Sequence, residues 1–250
     1  MNARRTYQNA PIRQAICAVN FDECADWLLT TPGEIWKSLR NFYPGKPAQN
    51  VSAKIEMVPG EGGSPGAFAV RASEATTKLV DEAGVREFAF GPASFSATSH
   101  QPYEGWEKFY ERITQGVNSY LKFATPGPIR RVGVRYINQI EFSESEVELG
   151  EYFTVYPDVP ASLKVSVNGF NSRVESSWSD DRVTVVHTFS SAVSSAGNPA
   201  VVLDIDVIEQ WPLGNSDIDI AEELLRLRNI EREVFEALIT DEARRLFNGD

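Results

Sequence analysis

Arg135, Tyr136 and Asn138 fall close together in RRVGVRYINQ, residues 130–139, and two carboxylates, Asp204 and Asp206, alternate in LDIDV, residues 203–207. A guanidinium reads a carboxylate or another anion through two parallel hydrogen bonds. Two carboxylates on one surface suit acid–base work, although that spacing is equally that of a strand's outward face. Both stretches alternate apolar and polar residues as half-buried strands do, so successive side chains point to opposite faces. Val132, Val134, Tyr136, Asn138 and Ile140 then share one mostly apolar face, expected to lie under a helix. Gly133, Arg135, Ile137, Gln139 and Glu141 share the other. If both strands belong to one sheet, Arg135 pairs with one of the two aspartates. Such a pair either fixes strand register or forms part of an exposed polar face that binds a ligand or a partner's anion. Arg135, Tyr136, Asn138, Asp204 and Asp206 are therefore the candidate ligand- or partner-binding residues.

No other stretch makes a stronger chemical case. His187 sits in RVTVVHTF in register with Val183, Val185 and Phe189, the setting of a hydrogen-bonded core histidine. His100 precedes Pro102 and is expected at an exposed turn or beside the helix cap. Cys17 and Cys24, the two cysteines, have neither the spacing of a zinc or redox site nor a histidine nearby in sequence. They read as small buried hydrophobes. EFSESEVELGE carries Glu141, Glu144, Glu146, Glu148 and Glu151 without the Asp, Asn and Gly spacing of a calcium loop, and reads as a solvated acidic edge. PGEGGSPG (59–66) has no GKS or GxGxxG pattern and precedes a strand, so it reads as a hairpin loop. No GxSxG elbow is present. No catalytic residue, metal ligand or cofactor is assigned, and an enzyme is not the favoured reading.

The charge balance narrows the partners. Twenty-four Lys and Arg against 35 Asp and Glu leave a net charge of −11. An acidic chain repels phosphate backbones, and Arg4/Arg5, Arg130/Arg131 and Arg244/Arg245 build no continuous basic stripe, so nucleic acid is not the expected partner. No apolar run is long enough for a membrane span, and the N-terminal residues lack the apolar core of a signal peptide. A cytoplasmic protein with reduced thiols is expected.

Two halves of the chain show the same order of elements. Residues 11–21 read as a strand. TPGEIWKSLRNFYP (31–44) reads as a helix with Thr31 as N-cap, Pro32 at the first position and an apolar stripe of Ile35, Trp36, Leu39 and Phe42. Residues 51–58, 67–80 and 86–99 read as three strands. Residues 102–123 read as a helix with Trp106, Phe109, Ile113, Val117 and Tyr120/Leu121 on one stripe. The second half repeats this with strands at 131–142, 162–178, 182–193 and 200–211 and a helix over 216–240, capped by Ser216 with Asp219. Thr240 is placed to cap a last short helix. Equivalent positions lie about 120 residues apart, which suggests a duplicated unit. The expected fold is α+β: two similar β-(α)-βββ-α halves, 1–125 and 126–250, forming one compact unit, with antiparallel sheets and a long helix of each half on a sheet face. The five tryptophans are expected in core and sheet–helix packing.

YQNAPIRQAI (Tyr7–Ile16), RVGVRYIN (Arg131–Asn138), LDIDV (Leu203–Val207) and FEALIT (Phe235–Thr240) stand in that order along the chain. In this the chain resembles a sporadically distributed family of uncharacterised bacterial proteins of about this length. Gln14 stands where that pattern would have an acidic residue. The resemblance implies a bacterial cytoplasmic protein of the accessory or mobile kind, and carries over no activity, cofactor or catalytic residue. The expected function is a non-enzymatic protein-binding or regulatory role in an accessory toxin–antitoxin or defence-type system, with a basic protein as partner. The alternative is a small-molecule-binding module or enzyme with a cavity between sheet and helices. Homo-oligomerisation is open on either reading.

Overall fold

Alternation and amphipathic stripes resolve into eleven strands and five α-helices among the described residues. The structure is a computed structural model and describes the chain except residues 1–4, 23, 25, 51–52, 59–66, 73–74, 145, 164, 166, 179–181 and 249–250. The first half contains β1 (Ile12–Phe21), α1 (Thr31–Leu39), β2 (Ala48–Asn50), β3 (Ala53–Val58), β4 (Ala67–Ala72), β5 (Thr76–Val80), β6 (Arg86–Gly91), β7 (Ser94–His100) and α2 (Trp106–Ala124). The second contains β8 (Ile129–Glu141), α3 (Leu149–Tyr152), β9 (Asn171–Ser177), β10 (Val183–Val193), β11 (Pro199–Asn215), α4 (Ile220–Leu238) and α5 (Asp241–Asn248).

Nine strands form one antiparallel sheet in the order β2-β5-β6-β7-β1-β8-β11-β10-β9. β3 and β4 pair separately as a two-stranded sheet. The fold is thus α+β, and the two halves of the chain meet in the β1–β8 ladder, where Cys17 lies opposite Val134 and Ile16 opposite Arg135. One face of the sheet is apolar. Ala15, Cys17 and Val19 of β1, Val132, Val134 and Tyr136 of β8, and Leu203, Ile205 and Val207 of β11 are all buried there. α4 lies over β8 and β11, while α2 lies over β7 and contacts α4 and α1. Tyr110 Oη donates to the Ala221 carbonyl at 3.2 Å across the α2–α4 contact. Phe109, Ile113, Val117 and Tyr120 fill the buried stripe of α2, as its periodicity predicts, while Leu121 is exposed. Trp211 is buried, and Trp27, Trp36, Trp106 and Trp178 pack partly buried against the same core.

Several boundaries differ from the sequence reading. α1 has Thr30, not Thr31, in the cap position, and Thr31 Oγ1 instead accepts from the Leu28 N–H at 3.2 Å. Asp219 rather than Ser216 caps α4, its Oδ1 accepting from the N–H groups of Ala221 and Glu222 at 2.8 and 3.1 Å. Residues 67–80 divide between β4 and β5, which belong to different sheets. Residues 86–99 are a hairpin, β6 and β7, turned at Pro92–Ala93. β9 covers only the end of the stretch 162–178. The glycine-rich loop 59–66 and Val51–Ser52 lie outside the described residues. No helix among the described residues is long and apolar enough to cross a membrane.

Candidate functional site

The five sequence candidates divide between the two faces of the sheet. Arg135, Asp204 and Asp206 occupy the face opposite the helices. Arg135 Nε donates to Asp204 Oδ1 at 2.8 Å and Nη2 to Oδ2, a fork between β8 and β11. The residue directly opposite Arg135 in the ladder is Asp206, yet Asp206 pairs with Arg131 at 3.5 Å. Gly133 makes room for this. A Cβ at Gly133 would stand 3.1 Å from Arg131 Nη1, so the missing side chain lets Arg131 lie along the strand. Burial raises the pKa of Asp206, while Arg131 and Arg135 oppose the shift. These alternating charges satisfy one another across the β8–β11 ladder.

Tyr136 and Asn138 point the other way, into a cleft of about 690 Å³ under α4. Its floor is β8, one wall is α4, and another is the loop 101–106 leading into α2. Residues 5–12 run along its rim. They are tied down by Tyr7 Oη donating to Glu236 Oε1 at 2.7 Å, Asn9 N–H donating to the Phe247 carbonyl at 2.8 Å, and Gln139 N–H donating to the Pro11 carbonyl at 2.8 Å. The loop 101–106 is braced from behind. Arg86, 7% exposed, donates to the carbonyls of His100 and Pro102 at 2.7 and 2.6 Å and sits 3.1 Å from Glu104. Tyr103 is thereby held with its hydroxyl 2.9 Å from that of Tyr136. Burial raises the pKa of both phenols, so both are neutral in the physiological range.

Arg228 and Glu231 supply the charge in the cleft. The Arg228 guanidinium lies over the Tyr136 ring, 4.5 Å from its centroid, and 5.7 Å from that of Trp106. Such stacking is worth about 0.5–2 kcal/mol and holds the guanidinium plane in place. Its Nη1 donates to Glu231 Oε2 at 2.7 Å, while its buried Nε has no hydrogen bond to a described residue. Glu231 is 2% exposed, and its Oε1 has no hydrogen bond to a described residue. Burial pushes its carboxyl up to about 7, with Arg228 and Arg232 pulling it back only in part. Asn138 is 2% exposed, with Nδ2 donating to the Leu203 carbonyl at 3.2 Å. The cleft therefore presents a guanidinium and a carboxyl side by side, two phenols and an amide, within walls built from Tyr7, Trp106 and Phe235.

Sequence reasoning passes over Arg228 and Glu231, although α4 carries their signal. At 100° per residue, Glu231 falls in the middle of the stripe formed by Ile220, Leu224, Leu227 and Phe235, with Arg228 on its flank. A charged pair on the apolar stripe of a sheet-packed helix is a pair destined for burial. Cys17 is near this pair but fully buried, and burial raises its pKa, which leaves it a thiol rather than a nucleophilic thiolate. Neither histidine reaches the cleft. His187 is half-buried beside Val155 and Tyr156, and its imidazole makes no hydrogen bond to a described residue, so it is not the hydrogen-bonded core histidine the sequence suggests. His100 ends β7, half-buried rather than in an exposed turn, with Nε2 3.2 Å from Glu87. Glu144, Glu146, Glu148 and Glu151 are exposed. Among the described residues no group of three or more His, Cys, Asp or Glu is placed to hold a metal ion. No protein-family model matches the chain, and no curated protein sequence matches it.

Proposed function

We propose that this protein is a small-molecule-binding module whose ligand sits in the cleft between β8, α4 and the loop 101–106. The observation that carries this reading is the convergence of Arg228, Glu231, Tyr103, Tyr136 and Asn138 on one cavity of about 690 Å³. That volume is in the range of ligand sites, and such sites combine apolar walls with a few placed polar groups. The Arg228–Glu231 pair offers guanidinium donors next to a carboxyl that accepts when ionised and donates when protonated. It suits a neutral, planar ligand whose edge carries the complementary pair, as the amide or lactam edge of a heterocycle does. The aromatic walls suit the flat faces of such a ligand.

The test uses the full chain and named probes: guanosine, thymidine and nicotinamide as amide-edged heterocycles, and benzoate as a simple aromatic anion. Thermal unfolding is followed with each. A probe at about 100 times its Kd adds roughly 2.7 kcal/mol of stability. At least one amide-edged probe is expected to stabilise the wild type and Arg135→Met alike, but not Arg228→Met/Glu231→Gln. The double substitution leaves no unpaired buried charge and so preserves the fold. Stabilisation that survives in the double variant, or no stabilisation by any amide-edged probe, overturns the reading.

A second reading, docking of a basic protein, draws on the net charge of −11 and on Leu28 and Leu29, which are 63% and 101% exposed. Acidic charge steers a basic partner, and an exposed leucine pair marks where contact begins. On this reading Leu28→Ser/Leu29→Ser abolishes binding of the partner while ligand stabilisation persists. Either role fits a cytoplasmic regulator of a bacterial accessory system, the setting that the motif resemblance suggests. A duplicated origin also fits. Reading outward from the central pair, β1-β7-β6-β5 and β8-β11-β10-β9 follow the same order, and in each half the last strand is followed by a long helix, α2 or α4, packed on the sheet.

A further inference from the structure

Strand β9 ends the sheet, and its sequence is nearly palindromic about Val174: Ser172, Arg173, Val174, Glu175, Ser176. Its main-chain geometry is set by β10. Trp178 N–H donates to the Val183 carbonyl at 2.8 Å, and Ser191 N–H donates to the Phe170 carbonyl at 3.1 Å. The register between them runs without a shift from Ser177 opposite Thr184 to Asn171 opposite Ser190. Bonded and non-bonded pairs alternate in an antiparallel ladder, so the even-numbered residues of β9 bond to β10. Asn171, Arg173, Glu175 and Ser177 turn their N–H and C=O groups outward, and every residue of the strand except Ser172 is exposed. Edges are commonly blunted by proline, lysine or a bulge. Residues 171–177 carry none of these, and their two charges, Arg173 and Glu175, are opposite in sign, so they repel an unrelated edge without repelling a second antiparallel copy of this one.

We propose that β9 is a self-association edge: two copies of this chain pair β9 with β9, antiparallel, about a two-fold axis through Val174. A two-fold contact must be self-complementary, and this segment is. Arg173 of each copy faces Glu175 of the other, Ser172 faces Ser176, and Val174 faces its counterpart. The outward residues fall at bonded positions. Val174 falls at a non-bonded position, where Cα atoms approach to about 4.5 Å and β-branched side chains pack best. Val174 is 41% exposed and lies opposite His187, which lines a small hollow with Val155 and Tyr156. Val155 and Tyr156 are also exposed, so apolar surface flanks the edge on the helix side. An unrelated extended segment would satisfy the main-chain groups but not the palindrome. Within one copy Arg173 and Glu175 already sit 3.0 Å apart on one face, so the dimer joins two such pairs into a ring of alternating charge.

Sedimentation equilibrium of the full chain across the micromolar range tests the proposal. The wild type is expected to dimerise. Arg173→Glu and Glu175→Arg, taken singly, place like charges opposite one another twice and are each expected to raise the dimer Kd roughly tenfold or more. The double variant Arg173→Glu/Glu175→Arg is expected to dimerise again. An equimolar mixture of the two single variants is expected to form a heterodimer, because an all-acidic edge then meets an all-basic one. Circular dichroism checks that each variant is folded, which surface substitutions on an edge strand should not disturb. A wild type that stays monomeric, single variants that dimerise as well as wild type, or charge reversal without rescue would overturn the proposal.

Discussion

Glu231 holds the most costly position of any carboxyl described above: 2% exposed, on an apolar helix stripe, with one arginine for company. Its pKa of about 7 in the folded chain stands above the ordinary 4.5. The folded state therefore holds this proton more tightly than the unfolded state does. Between about pH 4.5 and 7 the unfolded chain ionises the group while the folded chain resists, so its contribution to stability falls as pH rises through that window and levels off above it. A separation of about 2.5 units corresponds to roughly 3 kcal/mol. Glu231→Gln keeps the shape and removes the titration. Urea unfolding of both proteins from pH 4 to 8 is expected to show the wild type losing stability relative to the variant as pH rises from about 4.5 to 7. Parallel curves would mean that Glu231 titrates as an ordinary surface carboxylate.

Elements are positioned by closeness as much as by periodicity, and Gly116 is the clearest case. It lies in the middle of α2, where glycine ordinarily costs about 1 kcal/mol relative to alanine. A Cβ there would stand 2.5 Å from Cε2 of Phe88 on β6, so the helix rests directly on the ring. Gly116→Ala is expected to lower stability by about 1–3 kcal/mol despite its better helix propensity, read as a fall in Tm of several degrees. Phe88→Leu costs stability alone, but in combination it should recover part of the Gly116→Ala loss, because the two share one contact. The stripe of α2 and the alternation of β1, β8, β10 and β11 are legible in the sequence because each is a local pattern with one buried side. Gly91–Pro92 also carries a turn signal, yet apolar residues on both sides hide it within what reads as one long strand. The cleft is legible only in part. Tyr136 and Asn138 follow from the alternation of β8, and Arg228 and Glu231 lie on the stripe of α4. Tyr7 on one segment and Tyr103 and Trp106 on another reach it only because the fold brings both segments onto β8 and α4, and no local pattern records that.

The molecule as a whole turns on the β1–β8 ladder, which joins the two halves of the chain inside one sheet and one core. Cys17 is an internal probe of that joint. It lies on β1 between β7 and β8, is fully buried, and has its thiol pKa raised by burial. A thiolate attacks a disulfide reagent, expelling its second sulfur as a thiolate, only where the two can meet, so Cys17 reacts only when the structure opens. Exposing it requires lifting α2 and α4 or parting the central ladder, and either motion removes most of the core shared by the halves. In a Cys24→Ser variant, which leaves a single thiol, the opening free energy measured from labelling of Cys17 with excess reagent is expected to equal the global unfolding free energy from urea. It should also depend on urea with the same slope. A markedly smaller opening energy with a shallow slope would mean that the halves or the helices part as separate units. The floor of the cleft would then be no fixed surface, since Tyr136 stands on one side of that joint and the strap of residues 5–12 enters from the other.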